Sequence, residues 1–335
     1  MARKWTAEGL LESARGFQPA CVLQAGAELN VFAELAASPG DAGALARRLG
    51  CDVRGMTLLL DALTALELLG KDLGGRYTPL PGVAELLTEG RPGNVLAMLR
   101  HQSACTRRWA QLAQVVKTGQ SADGRPGVLG AAGEQAAFIE AMDNISRPLA
   151  EALVAEVCAL VRDRPFTRVL DVGGASGTWT MAFLKTAPGV KATLFDLPVV
   201  IPMAQKRLTE AGFIDRVRLV PGDFCKDTLP TGCDLAWISA IVHQNSRVQN
   251  RELFQKLAAA LPSGGRLLIR DMVMEESHTA PVAGALFAVN MLVGTAAGGT
   301  FTLGELREDL EASGFSQVKL LRPDPAMHAI VGATR

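Results

Sequence analysis

A doubly wound, mostly parallel α/β sheet behind a smaller, mainly helical first domain is the fold class this sequence predicts. Three observations carry it. From Arg168 onward, short apolar runs alternate with helical stretches, which implies crossover connections and a parallel sheet covered on both faces. Before about Arg100 the pattern is helical and punctuated, with two short extended pieces around Gly74 and Gly75. A chain of 335 residues, at about 150 per domain, gives a soft prior of two domains. The expected division is 1–98 for the first domain and 99–335 for linker helices and the sheet domain.

The elements of the first domain follow in order. The opening stretch MARKWTAEGLLESARGF reads as an amphipathic helix, with Trp5, Leu10 or Leu11, Ala14 and Phe17 near one face. Its charges are scattered and it has no apolar core segment, so no signal peptide is expected. Leu23 to Leu35 reads as one helix ended by Ser-Pro-Gly-Asp. DAGALARRLG is a short helix closed by Gly50, where a C-terminal glycine belongs. Val53 to Leu69 is a long apolar helix, and LGKDLGGRYTPL a hairpin. Helix, turn, helix, hairpin is the outline of a winged helix. Its second helix offers one arginine, Arg54, against Asp61 and Glu67. A recognition helix needs basic or amide side chains, so this one is expected to pack and dimerise and not to read DNA.

Asn94 to Thr118 is again helical, and Glu134 to Val161 is a long helix broken near Pro148. The strands that follow are RVLDV, KATLF, VRLV, DLAWIS and RLLIRD, with helices WTMAFLKTA, PMAQKRLTEAG and RELFQKLAAAL between them. QVKLL and HAIVGAT close the chain as an antiparallel pair.

Composition bounds the function. The 34 basic and 34 acidic side chains cancel, which argues against a broad nucleic-acid or anionic-membrane surface. No apolar run approaches the roughly 18 residues that span a bilayer. Six cysteines (Cys21, Cys51, Cys105, Cys158, Cys225 and Cys233) lie scattered without a Cys-x-x-Cys or a nearby histidine pair. That pattern predicts neither a zinc site nor a disulfide framework. Buried, reduced thiols in a cytoplasmic protein are expected, and no metal.

The chemistry begins after the first strand of the sheet domain. VLDVGGASGTWTMAF is a strand ending in Asp171, a glycine-rich turn and a helix, the position at which such folds bind nucleotides. The pyrophosphate fingerprint is not met: counted from Gly173, the later glycine positions hold Ala175 and Thr178. The pattern present is Asp171, Gly173, Ala175, Gly177. An acid there suits a ligand with an ammonium group and no phosphate, such as S-adenosylmethionine. Asp196, in Phe-Asp-Leu-Pro, ends the second strand about 20 residues on, where an acid accepts ribose hydroxyls. Asp223 and Phe224 end the third, placed for an adenine amino group and ring.

At these residues the chain resembles the small-molecule O-methyltransferases typified by the caffeic acid and acetylserotonin O-methyltransferases. VLDVGGASG, FDLP, GDF, LPSGGRLLIRDMV and NMLVGTAAGG carry the resemblance, which runs nearly end to end. It implies a Rossmann-like methyltransferase domain, a winged-helix dimerisation domain and a homodimer. It implies cofactor contacts at Gly173, Asp196, Leu197, Asp223, Phe224 and Ser239. It also implies His243 as general base and Asp271 as the acid that orients it. The acceptor, a hydroxylated aromatic or heteroaromatic metabolite, is expected near Phe138, Met142 and Ile145 and near Phe287, Asn290, Met291 and Thr295.

His243 has a plainer reading as a polar residue at a helix entry, where Asn245 or Ser246 would cap the helix that follows. The chain also departs from the family: Gln244 and Asn245 stand where Asp-Trp is usual, and GGTFTLGEL lacks the second flanking acid. Glu305 is no substitute, since Thr302-x-x-Glu305 is a capping box. The same fold and cofactor also allow carbon, nitrogen or sulfur methylation, or a reaction without methyl transfer. A winged-helix regulator is the remote alternative.

Overall fold

The computed structural model describes residues 4–91 and 93–335; Met1–Arg3 and Pro92, within the opening stretch and the first domain as expected above, lie outside the described residues. The chain clusters into two compact units. One comprises Met1–Arg107 with Gly124–Asn144, and the other Arg108–Asp123 with Ile145–Arg335.

The first unit begins with α1 (Ala7–Arg15), α2 (Phe17–Glu28), α3 (Val31–Ala37), α4 (Ala42–Leu49) and α5 (Val53–Ala65). The hairpin strands β1 (Leu69–Lys71) and β2 (Tyr77–Pro79) pair antiparallel, with Gly70 opposite Thr78. A short α6 (Val83–Leu86) precedes α7 (Leu96–Trp109). Asp41 and Asp52 cap α4 and α5 through backbone amides, and Gly50 closes α4 in the left-handed region. Phe32, Leu35, Leu45, Met56, Leu60 and Leu63 form the core with Tyr77. The Tyr77 hydroxyl donates to Asp61 at 2.7 Å, and Lys71 pairs with the same oxygen.

Four boundaries differ from the sequence reading. The helix expected from Leu23 to Leu35 breaks at Asn30, whose φ of 58° ends one helix and starts another. α5 stops at Ala65, because Glu67 takes a φ of 59° and turns the chain into the hairpin. Only its Met56, Leu60 and Leu63 face is buried; Leu58 is 57% exposed. The Asn94–Thr118 region is two helices, α7 and α8 (Leu112–Thr118), and α9 (Gly130–Leu160) runs unbroken through Pro148. The compact units divide inside α7 and α9. Within the first unit, Arg107 pairs with Glu28 at 3.0 Å and with Glu134, tying α7 and the start of α9 to α2.

The second unit is a seven-stranded sheet. β3 (Arg168–Val172), α10 (Thr178–Thr186), β4 (Lys191–Asp196), α11 (Ile201–Glu210), β5 (Val217–Pro221), β6 (Leu235–Ser239), α12 (Arg247–Ala260) and β7 (Arg266–Asp271) alternate as expected. A short parallel pair, β8 (Val273–Met274) with β9 (Phe301–Thr302), flanks α13 (Val282–Gly294). After α14 (Leu303–Ala312) come β10 (Ser316–Arg322) and β11 (Ala329–Thr334). The strand order is β10-β11-β7-β6-β3-β4-β5, antiparallel only at β10–β11 and β11–β7. The order therefore reverses between β3 and β6, and a crevice opens there at the carboxyl edge.

Buried strand residues pack helices on both faces: Leu170, Ile238 and Ile269 with Phe254 on one side, Val169, Trp237 and Leu268 with Phe183 on the other. The cysteines are less buried than expected, since Cys233 is buried but Cys21 and Cys225 are exposed; all are free thiols. Among the described residues no helix is long and apolar enough to cross a membrane.

Arg216 shows how α10 is held. Its guanidinium donates to the carbonyls of Leu184, Ala187 and Val190, between 2.7 and 3.1 Å. Two of these are carbonyls that the end of α10 leaves without helical partners. Arg216→Met is expected to lower unfolding free energy by about 2–4 kcal/mol in urea titration, with the slope against urea unchanged.

Candidate active site

The turn after β3 is shaped by what surrounds it. Gly173 has a φ of +70°, and a Cβ there would lie 2.6 Å from Ile241; one on Gly174 would lie 2.7 Å from Leu194. Side chains are thus excluded and bare backbone faces the crevice. Ala175 holds a φ of 46° without being glycine, a strained state of the kind found at ligand sites. Its amide donates to Asp196 at 2.7 Å.

Asp196 lies at the end of β4, half-buried. One carboxylate oxygen accepts from Ala175 and the other from the Leu197 amide at 2.7 Å. Each oxygen keeps a further acceptor site, enough for two ribose hydroxyls. Burial pushes its pKa up, against the pull of these two amides. Asp223 accepts from the Cys225 amide at 2.9 Å and pairs with Lys226 at 3.0 Å, and the Lys226 bond holds its pKa down. Phe224 packs half-buried against the core.

Asp171 lies at the end of β3 as expected, but it is buried. It is 1% exposed, below the glycine turn, and accepts a 2.6 Å bond from the Thr180 hydroxyl. It braces the turn from beneath through the oxygen that Thr180 holds. Burial first, and then the charge of Asp196, raise its pKa to about 7 against the Thr180 bond.

The fourth and fifth strands supply a second pair. Beyond β6 the chain makes a short 3-10 turn, Val242–Gln244, and His243 on it is 7% exposed. Its Nδ1 lies 2.8 Å from Asp271 Oδ1 at the end of β7. Asp271 also accepts from the amides of His243 at 3.3 Å and Met272 at 2.7 Å. Three donors fix the carboxylate, so Nδ1 carries the proton and Nε2 is left as the acceptor. Among the described residues no protein group bonds Nε2. Phe287 stands edge-on to the imidazole, ring centroids 4.8 Å apart. The capping function falls to Ser246, which forms a capping box with Gln249 at the start of α12, while Asn245 bonds Asn250. Capping therefore accounts for Ser246 and leaves His243 to its acid partner. Thr302 and Glu305 form the other expected box.

The remaining candidates are spread. Phe138 and Met142 belong to the first unit, where the Phe138 ring meets His101 at 5.1 Å. Ile145 is exposed in the second. On α13, Asn290 accepts from the Trp109 indole at 2.8 Å. Met291 is buried, and the Thr295 hydroxyl is spent on the Met291 carbonyl and the Gly298 amide, at 2.7 and 2.9 Å. Gly299 donates to the His243 carbonyl at 2.9 Å, and a Cβ on Gly298 would lie 2.5 Å from that oxygen.

Comparison with known proteins decides the family. Residues 109–316 match the O-methyltransferase domain, and residues 11–89 the O-methyltransferase dimerisation domain. This chain belongs to the O-methyltransferase family. The 3-hydroxy-5-methyl-1-naphthoate 3-O-methyltransferase of Streptomyces sahachiroi is 32% identical over 97% of this chain and 94% of its own length. The acetylserotonin O-methyltransferase of Bos taurus is 30% identical over 96% of each. Human N-acetylserotonin methyltransferase, solved with its cofactor, superposes with a TM-score of 0.81 at 26% identity, covering 100% of this chain and 99% of that one.

The enzyme is thus an S-adenosylmethionine-dependent O-methyltransferase, and the crevice fits that cofactor: bare turn backbone, a two-oxygen acceptor at Asp196 and no cradle for a pyrophosphate. Sequence reasoning missed Arg270, Trp179 and His328, which meet beneath Ser239. Arg270 donates to Ser239 Oγ at 2.9 Å and to His328 Nδ1 at 2.7 Å, and its guanidinium lies 4.6 Å from the Trp179 ring centre. An arginine inside an apolar strand was the one available signal.

Asp171 yields a pH prediction. Its folded pKa is raised above that of the unfolded chain, so its contribution is fully present below about pH 4 and is lost as pH rises to about 7. Asp171→Asn is expected to flatten that part of the stability profile, checked by urea titrations from pH 4 to 8 on both proteins.

Proposed function

We propose that this methyltransferase methylates a hydroxyl of a small aromatic or heteroaromatic metabolite, with His243 as general base and Asp271 as its orienting acid, working as a homodimer through its dimerisation domain. The observation that carries this reading is the buried Nδ1–Asp271 bond that leaves Nε2 unbonded. S-adenosylmethionine supplies an electrophilic methyl group on its sulfonium. Gly173, Asp196, Leu197, Asp223, Phe224 and Ser239 are the residues read as holding it, along the edge from β3 to β6; Asp171 supports them from below.

A phenol with a pKa of about 10 is mostly protonated at neutral pH. With methyl transfer to the acceptor oxygen, the hydroxyl proton would pass to Nε2 of His243. Asp271 then faces an imidazolium, which its charge stabilises without taking the proton. Holding the two reactants in line contributes at least as much as the base, about 7–11 kcal/mol in favourable cases.

Aromatic acceptors are favoured by Phe287, whose ring stands against the base, and by relatives named for naphthoate and acetylserotonin substrates. Phe287 and Asn290 share one face of α13 and are the residues read as meeting the acceptor there. Phe138, Met142 and Ile145 remain candidates, while Met291 and Thr295 support α13 and its turn from within. One solved relative, at 25% identity and a TM-score of 0.80, is an N,N-8-amino-8-demethyl-D-riboflavin dimethyltransferase, so nitrogen acceptors are the second reading.

The test is a screen of phenolic, hydroxy-heteroaromatic and aromatic amine acceptors with methyl-labelled cofactor. With an accepted hydroxyl, His243→Ala or Asp271→Asn is expected to lower kcat about 100- to 10,000-fold, while S-adenosylhomocysteine affinity by calorimetry changes little. Unchanged turnover in both variants would remove the base assignment; label transferred only to amines would favour the second reading.

A further inference from the structure

Arg270 is a buried cation that general-base chemistry does not use. It precedes Asp271 on β7, and the pleat turns the two side chains to opposite faces of the sheet. Arg270 is 2% exposed. Its partners are Ser239 Oγ, His328 Nδ1 and the face of Trp179. An arginine only donates, so His328 Nδ1 accepts and His328 is the neutral imidazole; burial and the Arg270 charge lower its pKa accordingly. Among the described residues Arg270 Nε has no hydrogen-bond partner. Asp271, and after it Asp324, attract the guanidinium across a distance, but neither bonds it: Asp271 is held by His243 and the Met272 amide, and Asp324 is bonded by Arg322 at 2.8 Å. A guanidinium buried without a bonded anion is costly.

Its burial also says how it acts. A group this deeply buried acts on a ligand only through a neighbour. Ser239 is that neighbour: half-buried, at the carboxyl end of β6, directly beside the strand-order reversal. A hydroxyl has two lone pairs and one proton. Arg270 donates to one lone pair, and no described residue takes the proton. The hydroxyl is therefore set as a donor, polarised by the cation behind it, and suited to an anionic acceptor. S-adenosylmethionine carries one anionic group, the carboxylate of its methionyl part.

We propose that Arg270 is a positioning residue that sets the Ser239 hydroxyl to donate to the methionyl carboxylate of the cofactor. The inference rests on the reading of Ser239 as cofactor-facing. It assigns Ser239 the carboxylate, and a cation behind that hydroxyl disfavours the ammonium or sulfonium there.

Two ligands test it by titration calorimetry on the full chain. S-adenosylhomocysteine has the carboxylate; its decarboxylated analogue keeps adenosine, thioether and ammonium and lacks only that group. Ser239→Ala and Arg270→Met are each expected to weaken S-adenosylhomocysteine about 10- to 100-fold and to leave the analogue within about two-fold. Because both act on one relay, the double variant is expected to be no weaker than the worse single by more than about two-fold. Arg270→Lys, which keeps a buried cationic donor, is expected to recover part of the loss. Should Arg270→Met not fold, Ser239→Ala and Arg270→Lys carry the same comparison. Equal losses for both ligands, additive losses in the double variant, or no loss would each overturn the relay. Asp196→Ala separates the two readings: if it weakens both ligands while Ser239→Ala and Arg270→Met are silent, the cofactor site stands and the relay falls.

Discussion

Parallel strands cannot be joined by hairpins, and that constraint organises this site. Each strand from β3 to β7 must return over the sheet before the next begins, so all five end on one edge. The crossovers spread outward in both directions from the β3–β6 pair, and neighbouring strands stand about 4.8 Å apart. The glycine turn, Asp196, Ser239, His243 and Asp271 come from separate parts of the chain. Their spacing is nevertheless set by backbone hydrogen bonding and not by the loops that bear them. A charge-assisted pair such as His243–Asp271 keeps its 2.8 Å geometry because β6 and β7 are in register up to Ser239 and Arg270.

The electrostatics of this edge favour a cation that comes and goes. Asp171 and Asp196 are both held above ordinary carboxylate pKa values, chiefly by burial. A ligand bearing sulfonium and ammonium charges relieves that condition by favouring their ionised forms. Ala175 and Ala240 add backbone strain at the ends of β3 and β6, each in the left-handed region, a cost of about 1–3 kcal/mol apiece. Stability is given up at the positions where the turn must present its amides.

Most of the architecture was legible because it is written in local chemistry. Strand runs of buried apolar residues, Asp and Ser caps and Gly50 each act within a few residues, and they name their own elements. Breaks made by Asn30 and Glu67 were not legible, since neither is a proline or glycine and only the packing of α3 and the hairpin selects their conformation. His243 and Asp271 were recognisable from their strand-end positions and from family likeness. Asp171 was readable as an acid at a strand end but not as a buried one, because Thr180 and the depth of the turn decide that. Arg270 stood out only as an arginine inside an apolar strand; its partners Ser239 and His328 lie 31 and 58 residues away, and no local pattern joins them.

The contact of the Gly298–Gly299 turn with the His243 peptide has an evolutionary consequence. Gly299 donates to the His243 carbonyl, and Gly298 has no room for even a methyl group against that oxygen. The turn after α13 and the peptide carrying the imidazole are therefore one packed unit, and lengthening or decorating that turn would displace His243. On the proposed reading of Phe287 and Asn290 as acceptor contacts, descendants of this enzyme would acquire new acceptors most readily by exchanging side chains along α13. Diversity in such a lineage would accumulate as point substitutions on a helix face, while the glycine turn that ends it stays nearly invariant in length.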